Sequence, residues 1–124
     1  MRLFFAAPLP TAFSLLAQRV QGTLAQGMRK GRMIAPANFH LTLAFLGELP
    51  EPGRAIAAAD DPGSAAFVLR SAGLGRFVKR GGDVVYLDIE PDSALLELVD
   101  RLRGRLKAAG LPFEDGAYHP HITL

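Results

Sequence analysis

Apolar and polar positions along the 124-residue chain change period several times, and each change predicts an element. Leu3 to Ala7 is a short apolar run closed by Pro8 and Pro10, which reads as a strand and a proline-marked turn. From Thr11, a candidate N-cap, the pattern becomes helical and runs to about Gln26, with Gly27 near its end. Phe39 to Leu46 then alternate cleanly. Phe39, Leu41, Leu43 and Phe45 fall on one face of a strand and His40, Thr42 and Ala44 on the other, because successive side chains point to opposite sides. The apolar set is expected to pack into a core while His40 and Thr42 look together into a cleft. Gly47, Pro50, Pro52 and Gly53 end the strand.

The middle of the chain is less regular. Arg54 to Ser64 is alanine-rich and predicts a short helix, Ala66 to Arg70 predicts a strand carrying Phe67 and Leu69, and Gly73 through Asp83 reads as a loop. Val84 to Ile89 is the next strand. Pro91-Asp92-Ser93 caps a helix whose buried stripe is Leu95, Leu98, Val99, Leu102 and Leu106, with Arg101, Arg105 and Lys107 turned outward and Gly110 as its stop. The closing residues alternate again, Pro120, Ile122 and Leu124 one way and His119, His121 and Thr123 the other.

Two tetrads repeat across this pattern, His40-Leu41-Thr42-Leu43 and His121-Ile122-Thr123-Leu124. The offset of 81 residues (from 40 to 121) also carries Pro10 onto Pro91 and Leu3-Phe4-Phe5 onto Val84-Val85-Tyr86. The chain therefore reads as internally duplicated into two lobes; repeat arrays would need three or more short units. Two histidines and two hydroxyls supply an acid, a base and two hydrogen-bond donors, the set that metal-free phosphoryl chemistry requires.

Composition removes several other chemistries. With 49% hydrophobic and 21% charged residues the chain can build one core and is not disordered. It has no cysteine, so a disulfide framework, a thiolate nucleophile and a cysteine zinc site are excluded. The net charge of +2 is modest, so contact with nucleic acid must come from local clusters. The opening residues imitate a signal peptide, but Pro8 and Pro10 interrupt the apolar segment, and no run is long enough to cross a bilayer.

The segments Arg2-Leu3-Phe4-Phe5-Ala6, Asn38-Phe39-His40-Leu41-Thr42-Leu43-Ala44-Phe45-Leu46-Gly47-Glu48 and Tyr118-His119-Pro120-His121-Ile122-Thr123-Leu124 resemble, in order and spacing, the two-histidine phosphoesterases. Within these the likeness is to the bacterial and archaeal RNA 2′,3′-cyclic phosphodiesterases, also called 2′-5′ RNA ligases, and it covers the whole chain. It implies an α+β fold: a two-lobed, pseudo-twofold duplicated domain with antiparallel-rich sheets flanked by helices and His-x-Thr strands lining a central cleft. Residues 1–124 would form that single domain, with lobes of about 1–65 and 66–124. The family continues past its second tetrad with an arginine and further strands, so the chain is expected to be C-terminally truncated relative to it.

The same resemblance implies the activity. An RNA terminal 2′,3′-cyclic phosphate would be hydrolysed to a 2′-phosphomonoester without metal or cofactor, and reversible 2′-5′ RNA ligation would be possible at the same site. His40 would be the proton donor and His121 the proton acceptor, with Thr42 and Thr123 binding the substrate phosphate. The partner would be RNA with a cyclic phosphate end, tRNA fragments being one candidate. The setting would be the cytoplasm, away from membrane; the oligomeric state stays open.

Other readings remain beside this one. His119 could join His121 and His40 at a metal, although no carboxylate lies at ligand-like spacing beside either tetrad. The clusters Arg29, Lys30, Arg32 and Arg76, Lys79, Arg80 could hold RNA phosphates or be solvated loops. The substrate could instead be a small cyclic nucleotide or an ADP-ribose cyclic phosphate, or the chain could be a non-catalytic RNA-end-binding module. Phe45, Phe77 and Tyr118 are inseparable by pattern as partners for a terminal base.

Overall fold

A computed structural model of the chain describes residues 1–27, 31–60 and 67–124. In chain order the elements are β1 (Arg2–Pro8), α1 (Thr11–Gly27), a 3-10 turn (Pro36–Asn38), β2 (His40–Glu48), α2 (Gly53–Ala58), β3 (Ser71–Phe77), β4 (Val84–Ile89), α3 (Ser93–Ala108) and β5 (His121–Thr123). The class is α+β: β1 and β2 form a two-stranded sheet, and β3, β4 and β5, in that order, a three-stranded antiparallel sheet. No helix among the described residues is long and apolar enough to cross a membrane. The chain divides into two compact units, 1–6 with 42–68 and 91–120, and 7–41 with 69–90 and 121–124. Each unit draws segments from both halves of the sequence.

The core of the first unit is a cluster of Ala44 and Leu46 from β2, Ala55 from α2, Leu102 and Leu106 from α3, and Leu111. Helix α3 forms as its periodicity predicts. The Asp92 side chain accepts from the Leu95 N–H at 3.3 Å and caps the first turn, and Leu95, Val99, Leu102 and Leu106 are buried. Its last turn closes on Gly110, whose φ of 70° is the left-handed conformation that favours glycine. There the Gly110 N–H reaches the Lys107 carbonyl at 3.0 Å and the Leu111 N–H the Leu106 carbonyl at 2.9 Å, and both leucines lie in the core.

Strand β2 corrects the expected division of its faces. Leu41 is wholly buried in the second unit, but in the first unit the buried residues are Ala44 and Leu46, while Leu43 and Phe45 are half-buried. The alternation is real, yet the side that meets α2 and α3 is the one carrying the small Ala44. Phe45 instead holds the Arg2 guanidinium 5.4 Å above its ring.

In the second unit, α1 begins one residue away from the predicted cap. The Ser14 N–H bonds to the Pro10 carbonyl at 2.9 Å, so Thr11 is the first helical residue and Pro10 holds the capping place. Gln21 is a buried polar residue of this helix, and its Nε2 donates to the Ile34 carbonyl at 2.8 Å and the Leu124 carbonyl at 3.4 Å. The strand expected over Ala66 to Arg70 is not present in its described residues, 67–70; Ala66 itself lies outside them. The strand is β3, in the glycine-containing stretch read as a loop. Glycine is required there because Tyr86 of β4 lies across it: a Cβ on Gly75 would collide with the Tyr86 ring. Near the end of β3, Arg76 pairs with Asp83 of the following loop at 3.3 Å.

Register fixes the two faces of this sheet. Tyr86 stands opposite Thr123, Leu87 opposite Ile122, and Asp88 opposite His121. Leu87, Ile89, Ile122 and Leu124 are buried; alternation puts them on one face and Tyr86, Asp88, His121 and Thr123 on the other.

Candidate active site

The second tetrad sits where its alternation predicts. Ile122 and Leu124 are buried and anchor the strand, and Pro120 before them is buried too, while His121 and Thr123 are half-buried on the other face. The His121 ring meets two aromatic rings edge-on, Phe77 with centroids 5.1 Å apart and Tyr86 at 5.2 Å. Phe77 and Tyr86 in turn stack on each other at 4.4 Å. These contacts limit the orientations open to the imidazole.

Across the strand pair, His121 faces Asp88. The Leu124 N–H bonds to the Val85 carbonyl at 3.1 Å, which makes Val85 and Leu124 a hydrogen-bonded pair of the antiparallel ladder. Alternation along the ladder makes both Tyr86 with Thr123 and Asp88 with His121 non-hydrogen-bonded pairs, the kind in which facing side chains come closest. Asp88 is half-buried. The carboxylate that spacing along the chain does not reveal beside a tetrad is thus supplied by register. Its one sequence signal is a lone acid inside the apolar run Val84 to Ile89.

The first tetrad is positioned differently. The 3-10 turn Pro36–Asn38 delivers the chain into β2, and His40 Nδ1 lies 2.8 Å from the Asn38 carbonyl oxygen. A carbonyl can only accept, so Nδ1 carries the hydrogen in this contact and proton exchange falls to Nε2. Thr42 is half-buried two residues on, and strand alternation sets its side chain on the face of His40. Its carbonyl oxygen accepts from the Tyr118 hydroxyl at 2.8 Å. Burial pushes the Tyr118 phenol up to about 12, opposed by the charge of Arg103. His40, His121 and Thr123 belong to the second unit and Thr42 to the first.

The remaining candidates separate as well. His119 is exposed. Among the described residues no group of three or more His, Asp or Glu gathers in a way that could hold a metal ion. Arg29 and Lys30 lie outside the described residues; Arg32 is exposed, and with Ile34, Asp83, Thr123 and Leu124 it lines a cavity of about 270 Å³. Of the three aromatic candidates, Phe45 is stacked under Arg2, Tyr118 is bonded through its hydroxyl to Thr42, and Phe77 lies against a tetrad histidine.

Residues 18–124 match the family described as the 2′-5′ RNA ligase superfamily. Over 126 residues the chain is 33% identical to the RNA 2′,3′-cyclic phosphodiesterase of Escherichia coli (strain K12), covering 99% of this chain and 70% of that protein. Among solved structures, TT0787 of Thermus thermophilus superposes with a TM-score of 0.82 at 32% identity, over 100% of this chain and 73% of that one. LigT of Escherichia coli complexed with 3′-AMP superposes with a TM-score of 0.75 at 31% identity, over 99% of this chain and 69% of that one. With the family match spanning most of the chain and the α+β fold shared with these structures, the chain belongs to the 2′-5′ RNA ligase superfamily.

Proposed function

We propose that the chain hydrolyses the 2′,3′-cyclic phosphate at an RNA end to a 2′-phosphomonoester, by acid–base catalysis between two histidines and without a metal. The observation that carries this is the pair of His-x-Thr strands, each presenting a half-buried histidine and threonine on one face, in a chain of this superfamily. Water attacks phosphorus and gives its proton to His121, the P–O3′ bond breaks, and His40 protonates the departing 3′ oxygen. The Asn38 carbonyl on His40 Nδ1 makes Nε2 the proton-delivering nitrogen. The hydroxyls of Thr42 and Thr123 donate to the non-bridging oxygens, where the charge of the transition state is held. With the 5′-hydroxyl of a second RNA in place of water, the same groups form a 2′-5′ linkage.

The test is turnover of a short RNA ending in a 2′,3′-cyclic phosphate, in excess EDTA, with His40→Ala and His121→Ala alongside. The expected result is a 2′-phosphate product, with each substitution lowering kcat by about 10²–10⁴-fold. Loss of turnover in EDTA would overturn the metal-free mechanism. Faster turnover of cyclic mononucleotides than of oligonucleotides would move the substrate to the small-nucleotide class.

A further inference from the structure

We propose that Asp88 is the positioning residue of His121, its carboxylate accepting the ring N–H that faces β4 and so holding the other nitrogen bare for a proton; this rests on the catalytic reading of His121 above. Asp88 and His121 are directly opposite in the antiparallel register. The Val85–Leu124 bond makes theirs a non-hydrogen-bonded pair, in which Cα atoms stand about 4.5 Å apart and side chains on one face meet. Both residues are half-buried, and Phe77 and Tyr86 pack against the imidazole, which limits the orientations the ring can take beside that pair.

An ionised carboxylate is acceptor-only, so it selects one tautomer of a neutral imidazole, and its charge favours the imidazolium that forms when His121 takes a proton. The tetrads look symmetric in sequence, but their partners are unlike. His40 leans on a neutral carbonyl, whereas His121 faces an acid. An acid beside the histidine that takes the proton fits the acceptor role.

The experiment records imidazole ¹⁵N shifts of His121, together with kcat and KM, in the native chain, Asp88→Asn, Asp88→Ala and Asp88→Glu. A single neutral tautomer of His121 is expected in the native chain and a mixture in Asp88→Ala. In Asp88→Asn and Asp88→Ala, kcat should fall about 10- to 100-fold with KM within about twofold, and Asp88→Glu should recover part of the loss. An unchanged tautomer in both Asn and Ala variants, or an unchanged kcat while His121→Ala is inactive, overturns the proposal and leaves the catalytic reading standing. Full activity of His121→Ala overturns that reading instead, and the tautomer measurement still decides whether Asp88 holds the ring. Asp88→Asn nearly preserves shape, so it serves if Asp88→Ala does not fold.

Discussion

The hydroxyl of Tyr118 donates to the carbonyl oxygen of Thr42 at 2.8 Å, tying the segment that leads into the second tetrad to the backbone of the first. Arg103 of α3 holds the same segment through Nη1, which donates to the Gly116 carbonyl at 2.8 Å. The approach to His121 is thereby fastened to β2 and α3 before β5 begins.

Replacing Tyr118 by Phe removes that bond and leaves the Thr42 carbonyl without its hydroxyl, which should lower stability by about 1 kcal/mol near neutral pH. The effect carries a pH signature. The folded phenol holds its proton until about 12, whereas in the unfolded chain it is released near 10. The contribution is full below the unfolded value and is lost as pH rises through the folded one. Urea melts from pH 8 to 12 should show the native chain losing stability relative to Tyr118→Phe above about pH 10; parallel curves would remove the buried phenol from the account.

Leu106 is wholly buried in the first unit's core and also receives the Leu111 N–H that closes α3. Leu106→Ala should destabilise by about 2–5 kcal/mol. Leu96, on the exposed side of the same helix, should tolerate alanine within about 0.5 kcal/mol. Chemical denaturation of both variants checks the contrast.

Gln21 spends its amide on two backbone carbonyls, those of Ile34 and Leu124. Gln21→Leu keeps the bulk and deletes the donors, and should cost about 1–3 kcal/mol. Because the loss is of bonds inside one unit, the denaturation midpoint should drop with the slope unchanged.

Phe77 is the aromatic candidate that lies against a tetrad histidine. If a terminal base stacks there, Phe77→Ala raises KM for oligonucleotide substrates about tenfold, while Phe45→Ala does not. Equal effects from the two would detach Phe77 from substrate binding.

What sequence made legible follows from whether a signal is local. The α3 stripe, its Asp92 cap and its Gly110 stop depend on neighbours within a few residues, and they stand as the pattern predicts except that Leu98, at the margin of the stripe, is only half-buried. The burial of Pro120, Ile122 and Leu124 against the greater exposure of their alternates is local in the same sense. The superfamily, too, is readable from the two extended tetrads.

Long-range facts stayed hidden. Gly75 looks like a loop residue until Tyr86 is placed across the strand, and the pairing of Asp88 with His121 needs a register that no window along the chain contains. Which β2 residues are most deeply buried depends on where α2 and α3 pack, so Ala44 is fully buried while Leu43 packs against the cluster only half-buried, without any local sign. Proline at position 10 took the cap from Thr11 because a cap's first task is to offer a carbonyl, which any residue can do.

The socket that Gly75 leaves for the Tyr86 ring has an evolutionary consequence. Any side chain at position 75 needs the space the tyrosine occupies, so a lineage can enlarge one position only after shrinking the other. The two sites should therefore drift as a pair through descendants of this chain, and the ring wall of His121 is inherited through a residue that has no side chain.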